Sequence, residues 1–86
     1  MDSYSLSWKS SAERELRKLP PPIIDRLVAL AESLRSNPYP NGATKMVATQ
    51  NTWRLREGEY RMIYKVVSNI LTVEIIRVGH RREVYR

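Results

Sequence analysis

Arginine, histidine and tyrosine side chains that could act on a phosphate group are concentrated in the C-terminal half of this sequence. Two segments, Trp53–Arg56 and Tyr60–Tyr64, alternate arginine with apolar residues, and a third, Val78–Arg86, joins arginines to a histidine and a tyrosine. In a strand, such alternation places the arginines on one face and the apolar side chains on the other. A cationic face suits a polyanion, because the planar guanidinium group stays charged and matches the geometry of a phosphate.

The net charge of the chain also lies mostly in this half. The 86 residues carry a formal net charge of +6; residues 1–43 contain six Lys or Arg against five Asp or Glu, whereas residues 44–86 contain nine against four. A clustered basic surface is typical of nucleic-acid binding, and it also suits an acidic protein partner. Charge alone therefore leaves both kinds of partner open.

Several classes of protein and site are excluded by what the sequence lacks. Its length predicts a single domain over residues 1–86, and no apolar run is long enough to cross a membrane. The absence of cysteine excludes disulfides and thiolate metal sites. There is no glycine-rich phosphate loop and no pair of carboxylates placed to bind a metal. We therefore expect a cytoplasmic protein with no cofactor and no metal.

The pattern of apolar residues predicts two helices in the N-terminal half. Alternation in Tyr4–Trp8 predicts a short strand, and Ser10 with Glu13 fits a capping box at the start of a first helix. The three consecutive prolines end that helix and open a second one, whose apolar residues recur at helical spacing up to Leu34. We expect a helical hairpin across the prolines.

Strands dominate the rest of the chain, after a turn cluster at Asn37–Gly42. The predicted strands are Thr44–Ala48, Asn51–Glu57, Tyr60–Val67, Ile70–Val78 and a short terminal strand at Glu83–Tyr85. Short turns between consecutive strands predict antiparallel pairing, with the helix pair covering one face. The predicted fold class is α+β: an N-terminal strand, a helical hairpin and an antiparallel sheet of three to four strands (β-α-α-β-β-β).

Alternation along the first basic segment predicts that Trp53 and Leu55 lie beneath the helices, so that Arg54 and Arg56 point outward. Pairing with the neighbouring strands would then bring the guanidinium groups at positions 61 and 81 beside them. Without a metal, these residues permit one route of RNA cleavage. The 2′-hydroxyl attacks the adjacent phosphate, cations stabilise the developing charge, and another group manages the proton.

Each of these residues also has a purely structural interpretation. Exposed arginines such as Arg56 and Arg82 commonly serve solubility and protect a sheet edge. Tyr85 can fill the core with its ring, and Tyr64 is interpreted as a packing residue. A lone histidine such as His80 is ordinarily a surface residue, although histidine can carry a proton near neutral pH.

Two separated motifs in the second half have a distinctive spacing: Trp53-Arg54-Leu55-Arg56-x-Gly58-x-Tyr60-Arg61-x-x-Tyr64, and Val78-Gly79-His80-Arg81 followed by Val84-Tyr85. With the order of the predicted elements, they resemble the RelE branch of the RelE/ParE toxin superfamily over essentially the whole chain. The resemblance implies a toxin that a cognate, RelB-like antitoxin holds inactive in a hetero-oligomer. It also implies metal-independent cleavage of messenger RNA, typically on the ribosome.

The resemblance implies roles for individual residues as well. Arg61 matches an arginine that contacts and stabilises the scissile phosphate, and Arg81 matches one that stabilises the transition state or the leaving group. Tyr85 matches a tyrosine that stacks on the RNA near the cut. Arg54 matches a basic position, a lysine in the best-known members, that helps to manage charge and protons.

One residue of the family pattern is missing. A second lysine of that strand falls on Thr52, so a lysine is not available there as the proton acceptor. We hypothesise that His80 takes over part of the acid–base work. The other basic residues that we expect to bind RNA are Arg56, Lys45, Arg82 and Arg77.

Two other functions stay open from the sequence. The ParE branch shares the fold but poisons DNA gyrase, and a catalytically silent RNA- or partner-binding module would need only the basic face. The RelE-like set Arg61, His80, Arg81 and Tyr85 favours a ribosome-dependent endoribonuclease that inhibits translation.

Overall fold

Two helices follow the first strand, as the sequence predicts. The computed structural model describes residues 4–47 and 49–80, and in it β1 (Ser5–Trp8) leads into α1 (Ser10–Arg17) and α2 (Pro21–Ser33). Prolines occupy the first positions of α2, where the missing N–H would have no partner within the helix. No helix in these described ranges is long and apolar enough to cross a membrane.

The start of α1 differs from the predicted capping box. The N-cap is Lys9, which makes no side-chain cap hydrogen bond, and Ser10 is already the first helical residue. Lys9 is held by the sheet instead, because its N–H donates to Ile75 O at 2.9 Å. The carboxylate of Glu13 does not reach back to the cap; it lies 3.4 Å from the guanidinium group of Arg17.

Five strands in the described residues form one sheet, which agrees with the predicted N-terminal strand followed by a sheet of three to four strands. The strands after β1 are β2 (Thr44–Lys45), β3 (Thr52–Glu57), β4 (Tyr60–Val67) and β5 (Thr72–His80). Their spatial order is β1-β5-β4-β3-β2, with β1 parallel to β5 and every other pair antiparallel. The antiparallel pairing predicted for the strands after the helices is confirmed. The parallel pair, which the sequence did not predict, involves the N-terminal strand, because the two helices carry the chain from β1 at one edge across the sheet.

The limits of four strands differ from the prediction. β1 begins at Ser5 and not at Tyr4, and β5 continues to His80, past the predicted end at Val78. β2 is only two residues long. β3 begins at Thr52 because Asn51 has a positive φ of 55°, and β5 begins at Thr72 because a 3-10 turn at Ser68–Ile70 and a left-handed residue at Leu71 precede it. The predicted strand at Glu83–Tyr85 lies outside the described residues.

The core lies between the helices and one face of the sheet. Leu55 is buried in it and Trp53 packs against it, which confirms the predicted orientation of β3. Tyr64 is also fully buried, as expected of a packing residue. The other face of β3 therefore carries Arg54 and Arg56.

Candidate active site

Three arginines from β3 and β4 line one cleft. Arg54, Arg56 and Arg61 border a cavity of about 240 Å³, together with Gly42, Thr44 and Leu55. We call this cavity the arginine cleft. Arg61 is the Cα partner of Arg56 in the antiparallel pair β3–β4, so their side chains share a face of the sheet. The structure thus brings together three of the predicted site residues.

A tight turn sets this arrangement. Glu57 pairs with Tyr60, which leaves only Gly58 and Glu59 to connect β3 to β4. Gly58 has a φ of 60°, a conformation that glycine adopts without the steric cost of a side chain. Because hairpin register follows from the turn, this two-residue connection brings Arg56 and Arg61 opposite each other.

The arginine face is less open than an ordinary solvated sheet face. Ile63 lies on it, as the register partner of Arg54 on one side and Arg77 on the other, yet Ile63 is only 7% exposed. Arginine stems can cover apolar surface while their charged ends stay in contact with water. Arg61 is itself half-buried, and its Nε atom is buried. Covered stems restrict the guanidinium groups and help to preorganise the cleft.

Gly42 and Thr44 form a wall of the cleft that sequence analysis did not identify. They belong to the segment before and at the start of β2, and Thr44 is the register partner of Arg54. The turn cluster at Asn37–Gly42 was the available signal. It predicted a turn but could not show which part of the sheet the turn would contact.

A β-bulge determines where His80 lies. Between Ile63 and Tyr64 the register with β5 shifts, so that Ile63 pairs with Arg77 while Tyr64 pairs with Ile75. The extra residue, Ile76, reverses the alternation of the residues that follow. As a result Gly79, and not His80, is the partner of Arg61.

His80 is placed on the helix-side face beside the end of β4. It pairs with Tyr60, and their rings meet edge to face with centroids 5.7 Å apart. Its Nε2 lies 3.9 Å from Glu59 Oε1, and Tyr60 packs against the core. The structure therefore does not bring the imidazole into the arginine cleft, and its predicted role in proton transfer stays a prediction.

The remaining predicted residues lie elsewhere. Arg77 Nη2 is 3.4 Å from Glu15 Oε2 on α1, so a carboxylate offsets part of its charge. Lys45 is exposed on β2 but does not line the cleft. Three predicted site residues lie outside the described residues: Arg81, Arg82 and Tyr85.

The arginine cleft has the chemistry of a phosphate site. Guanidinium groups donate paired hydrogen bonds to phosphate oxygens, and three of them can neutralise the charge that grows on a phosphate under attack. Thr52, where the family pattern has a lysine, cannot replace that lysine as a base. It is 8% exposed, and its hydroxyl donates to Gln50 O at 3.0 Å. Among residues 4–47 and 49–80, no group of three or more His, Asp or Glu side chains is placed to hold a metal ion.

Comparison with known proteins identifies the family. Residues 6–85 match the family model described as "ParE toxin of type II toxin-antitoxin system, parDE". The chain is 34% identical to Toxin RelG of Mycobacterium tuberculosis, over 96% of this chain and 97% of that protein.

Solved structures agree with this assignment. In the toxin–antitoxin complex RelBE2 from Mycobacterium tuberculosis, the matching chain is 32% identical, with a TM-score of 0.79 over 96% of this chain and 97% of that chain. The isolated E. coli RelE toxin is 26% identical, with a TM-score of 0.80 over 95% and 90% of the two chains. The chain matches the family model and these toxins over nearly its full length, and its sheet carries an arginine-lined face. It therefore belongs to the RelE/ParE superfamily of type II toxin–antitoxin toxins, and to its RelE family.

Proposed function

We propose that this chain is a metal-independent endoribonuclease that cleaves messenger RNA on the ribosome and so inhibits translation. The observation that carries the proposal is the arginine cleft, in which Arg54, Arg56 and Arg61 border a single cavity of about 240 Å³. The cationic lining of the cleft supplies the electrostatic stabilisation that phosphate chemistry requires.

In the proposed reaction, the 2′-oxygen of RNA forms a bond to the adjacent phosphorus and the bond from phosphorus to the 5′-oxygen breaks. The 2′-hydroxyl gives up its proton and the leaving 5′-oxygen gains one, so that the products are a 2′,3′-cyclic phosphate and a 5′-hydroxyl. Arg61 contacts the scissile phosphate, with Arg54 and Arg56 beside it on the same face. Charge on the phosphate oxygens is highest in the transition state, where these cations stabilise it most.

Residues at the end of the chain complete the proposed site. Arg81 stabilises the transition state or leaving group, and Tyr85 stacks on the RNA near the cut. His80 shares the acid–base work in the absence of a lysine at position 52. Basic residues outside the cleft contribute to RNA affinity through the phosphate backbone: Lys45, Arg77 and Arg82.

We also propose that a RelB-like antitoxin binds and inhibits this chain. The similar structures include RelBE2 from Mycobacterium tuberculosis and the E. coli RelBE complex, both described as toxin–antitoxin complexes. The net charge of +6 favours an acidic antitoxin segment, because complementary charge speeds association and aligns the two partners. The expected assembly is a toxin–antitoxin hetero-oligomer.

Gyrase inhibition is the alternative function, since the matching family model carries the ParE description. A basic module that binds RNA without cutting it is a further alternative. Purified wild-type protein, added to programmed ribosomes, to naked RNA and to a gyrase supercoiling assay, separates the three. We expect cuts aligned with codons on the ribosome that are absent with Arg61→Gln.

Two results would support a function other than RNA cleavage. Gyrase inhibition that survives Arg61→Gln would support the ParE-like function. Salt-sensitive RNA binding with neither cleavage nor gyrase inhibition would support a non-catalytic module. Lys65→Gln is the matched control, because Lys65 lies on the same strand as Arg61 and is exposed outside the cleft.

A further inference from the structure

One buried hydroxyl joins the centre of the sheet to the loop beside the arginine cleft. Tyr64, on β4, is fully buried, with 0% of its surface exposed, and its Oη donates a hydrogen bond of 2.8 Å to Pro38 O. Burial raises the pKa of Tyr64 from 10.0 to about 12, with a smaller contribution from Tyr39, so the phenol stays a donor at neutral pH. A phenylalanine ring would fill the same core volume, so packing of the core does not require the hydroxyl group.

The loop that receives this bond has a defined conformation. The N–H of Tyr39 donates to Asn37 Oδ1 at 3.1 Å, and the N–H of Ala43 donates to Pro40 O at 3.0 Å. The ring of Tyr39 packs at a tilt on Trp53, with centroids 5.0 Å apart. These contacts make the loop a single unit, which Tyr64 Oη ties to the core.

The same loop ends at the arginine cleft. Gly42 lines the cleft and has a φ of 94°, a conformation that residues with a side chain rarely adopt. A Cβ placed there would meet only Leu55 Cδ1, at 3.8 Å, so the requirement for glycine comes from the backbone and not from crowding. Thr44, which also lines the cleft, is fixed by its pairing with Arg54. The wall is therefore anchored by β2 at one end and by Tyr64 at the other.

We propose that Tyr64 is a positioning residue for the arginine cleft: through Pro38, its hydroxyl holds the loop 38–42 so that Gly42 stays in place as part of the wall of the cleft around a phosphate. This inference rests on the proposed function of the cleft as a phosphate site. Tyr64 touches neither the phosphate nor the arginines in this account. Its effect is on how well the site is formed before the anion arrives, and hence on affinity.

The variant Tyr64→Phe tests this role, with inorganic phosphate and messenger RNA on programmed ribosomes as the probes. Because one buried hydrogen bond is lost, we expect the affinity for phosphate to fall by about three- to tenfold, and KM for RNA to rise by a similar factor. We expect kcat to stay within about twofold of wild type, because the arginines remain. Tyr4→Phe is the matched control. Tyr4 also packs against the core, but it precedes β1, at the sheet edge opposite to β2.

A double-mutant cycle with Gly42→Ala separates positioning from general stability. Alanine at position 42 strains the same wall through its backbone, so the effects of Gly42→Ala and Tyr64→Phe on phosphate affinity should be markedly non-additive. Additive effects, or a lower Tm for Tyr64→Phe with unchanged phosphate affinity, would overturn the positioning role. If wild type binds phosphate but cuts no RNA, the nuclease proposal fails and the positioning role is decided by the phosphate data alone.

Discussion

Arg56 and Arg61 lie directly opposite each other across the β3–β4 pair and border the same cavity. Like charges at opposed positions on one face of a sheet destabilise the pair, by an amount on the order of 0.5 kcal/mol. An anion bound between the two guanidinium groups would attract both of them and so offset their mutual repulsion. Two like charges therefore face each other at the position where a phosphate would bind.

Arg56→Gln should therefore stabilise the free protein. We expect the free energy of unfolding at low salt to rise by about 0.5 kcal/mol, with most of the gain absent near ~1 M salt, where charges are screened within a few ångströms. Added phosphate should stabilise wild type more than this variant. Urea denaturation at two salt concentrations, with and without phosphate, measures both effects. Equal stabilisation of the two proteins by phosphate would show that Arg56 takes no part in binding.

The raised pKa of the Tyr64 hydroxyl predicts that the folded state loses stability at alkaline pH. Its pKa is raised in the folded state to about 12 from 10.0, so the folded state holds the proton more tightly than the unfolded chain does. The associated stability is complete below about pH 10 and is lost as the pH rises towards about 12. Over that range wild type should lose up to about 3 kcal/mol more than Tyr64→Phe, since phenylalanine does not titrate. Urea denaturation of both proteins across this range measures the difference, and a pH-independent difference would contradict the assignment.

Glu15 covers a part of β5 that β1 does not pair with. The pairing of β1 ends at Ile75, and Glu15 Oε1 accepts the N–H of Val78 at 3.1 Å. Glu15→Ala should lower the free energy of unfolding by about 1 kcal/mol through the loss of this acceptor. Glu13→Ala, which removes only an exposed ion pair with Arg17, should cost about 0.3 kcal/mol. Thermal denaturation of the two variants provides the comparison, and equal losses would show that the Glu15 contact is not structural.

His80→Gln tests the proposed acid–base role. If His80 shares in proton transfer, the single-turnover rate of RNA cleavage should fall roughly 10²-fold. Glu59→Gln is the control, because it removes the carboxylate 3.9 Å from His80 Nε2 and keeps the imidazole. Because His80 lies on the helix side of the sheet, its imidazole would have to reach the 2′-hydroxyl proton or the leaving group around the end of β5. A His80→Gln variant that cleaves as fast as wild type across neutral pH would remove the role.

The hairpin that carries the arginines was predictable because its determinants are local. Alternation along Trp53–Arg56 set which side chains face outward, and Gly58 marked the tight turn that places Arg56 opposite Arg61. Both signals act over a few residues and need no knowledge of distant contacts. The sequence alone therefore predicts that the three arginines of the cleft lie together.

The features that were not predicted depend on contacts between distant parts of the chain. The parallel pairing of β1 with β5 joins the two ends of the described chain and leaves no local signature. The bulge at Ile76 looks like ordinary strand sequence, yet it places His80 on the opposite face from the one that simple alternation from Ile75 gives. The contact of Gly42 with the cleft follows from the packing of a loop on the sheet, which its turn residues alone do not specify.

The most direct test of the central claim is the single-turnover rate of RNA cleavage by Arg61→Lys on programmed ribosomes. Lysine keeps the positive charge but lacks the planar pair of donors that a phosphate under attack requires. The nuclease account predicts a loss of about 10²-fold or more, with Lys65→Gln close to wild type. An Arg61→Lys variant that cleaves at the wild-type rate would contradict the claim that Arg61 in the arginine cleft stabilises the scissile phosphate.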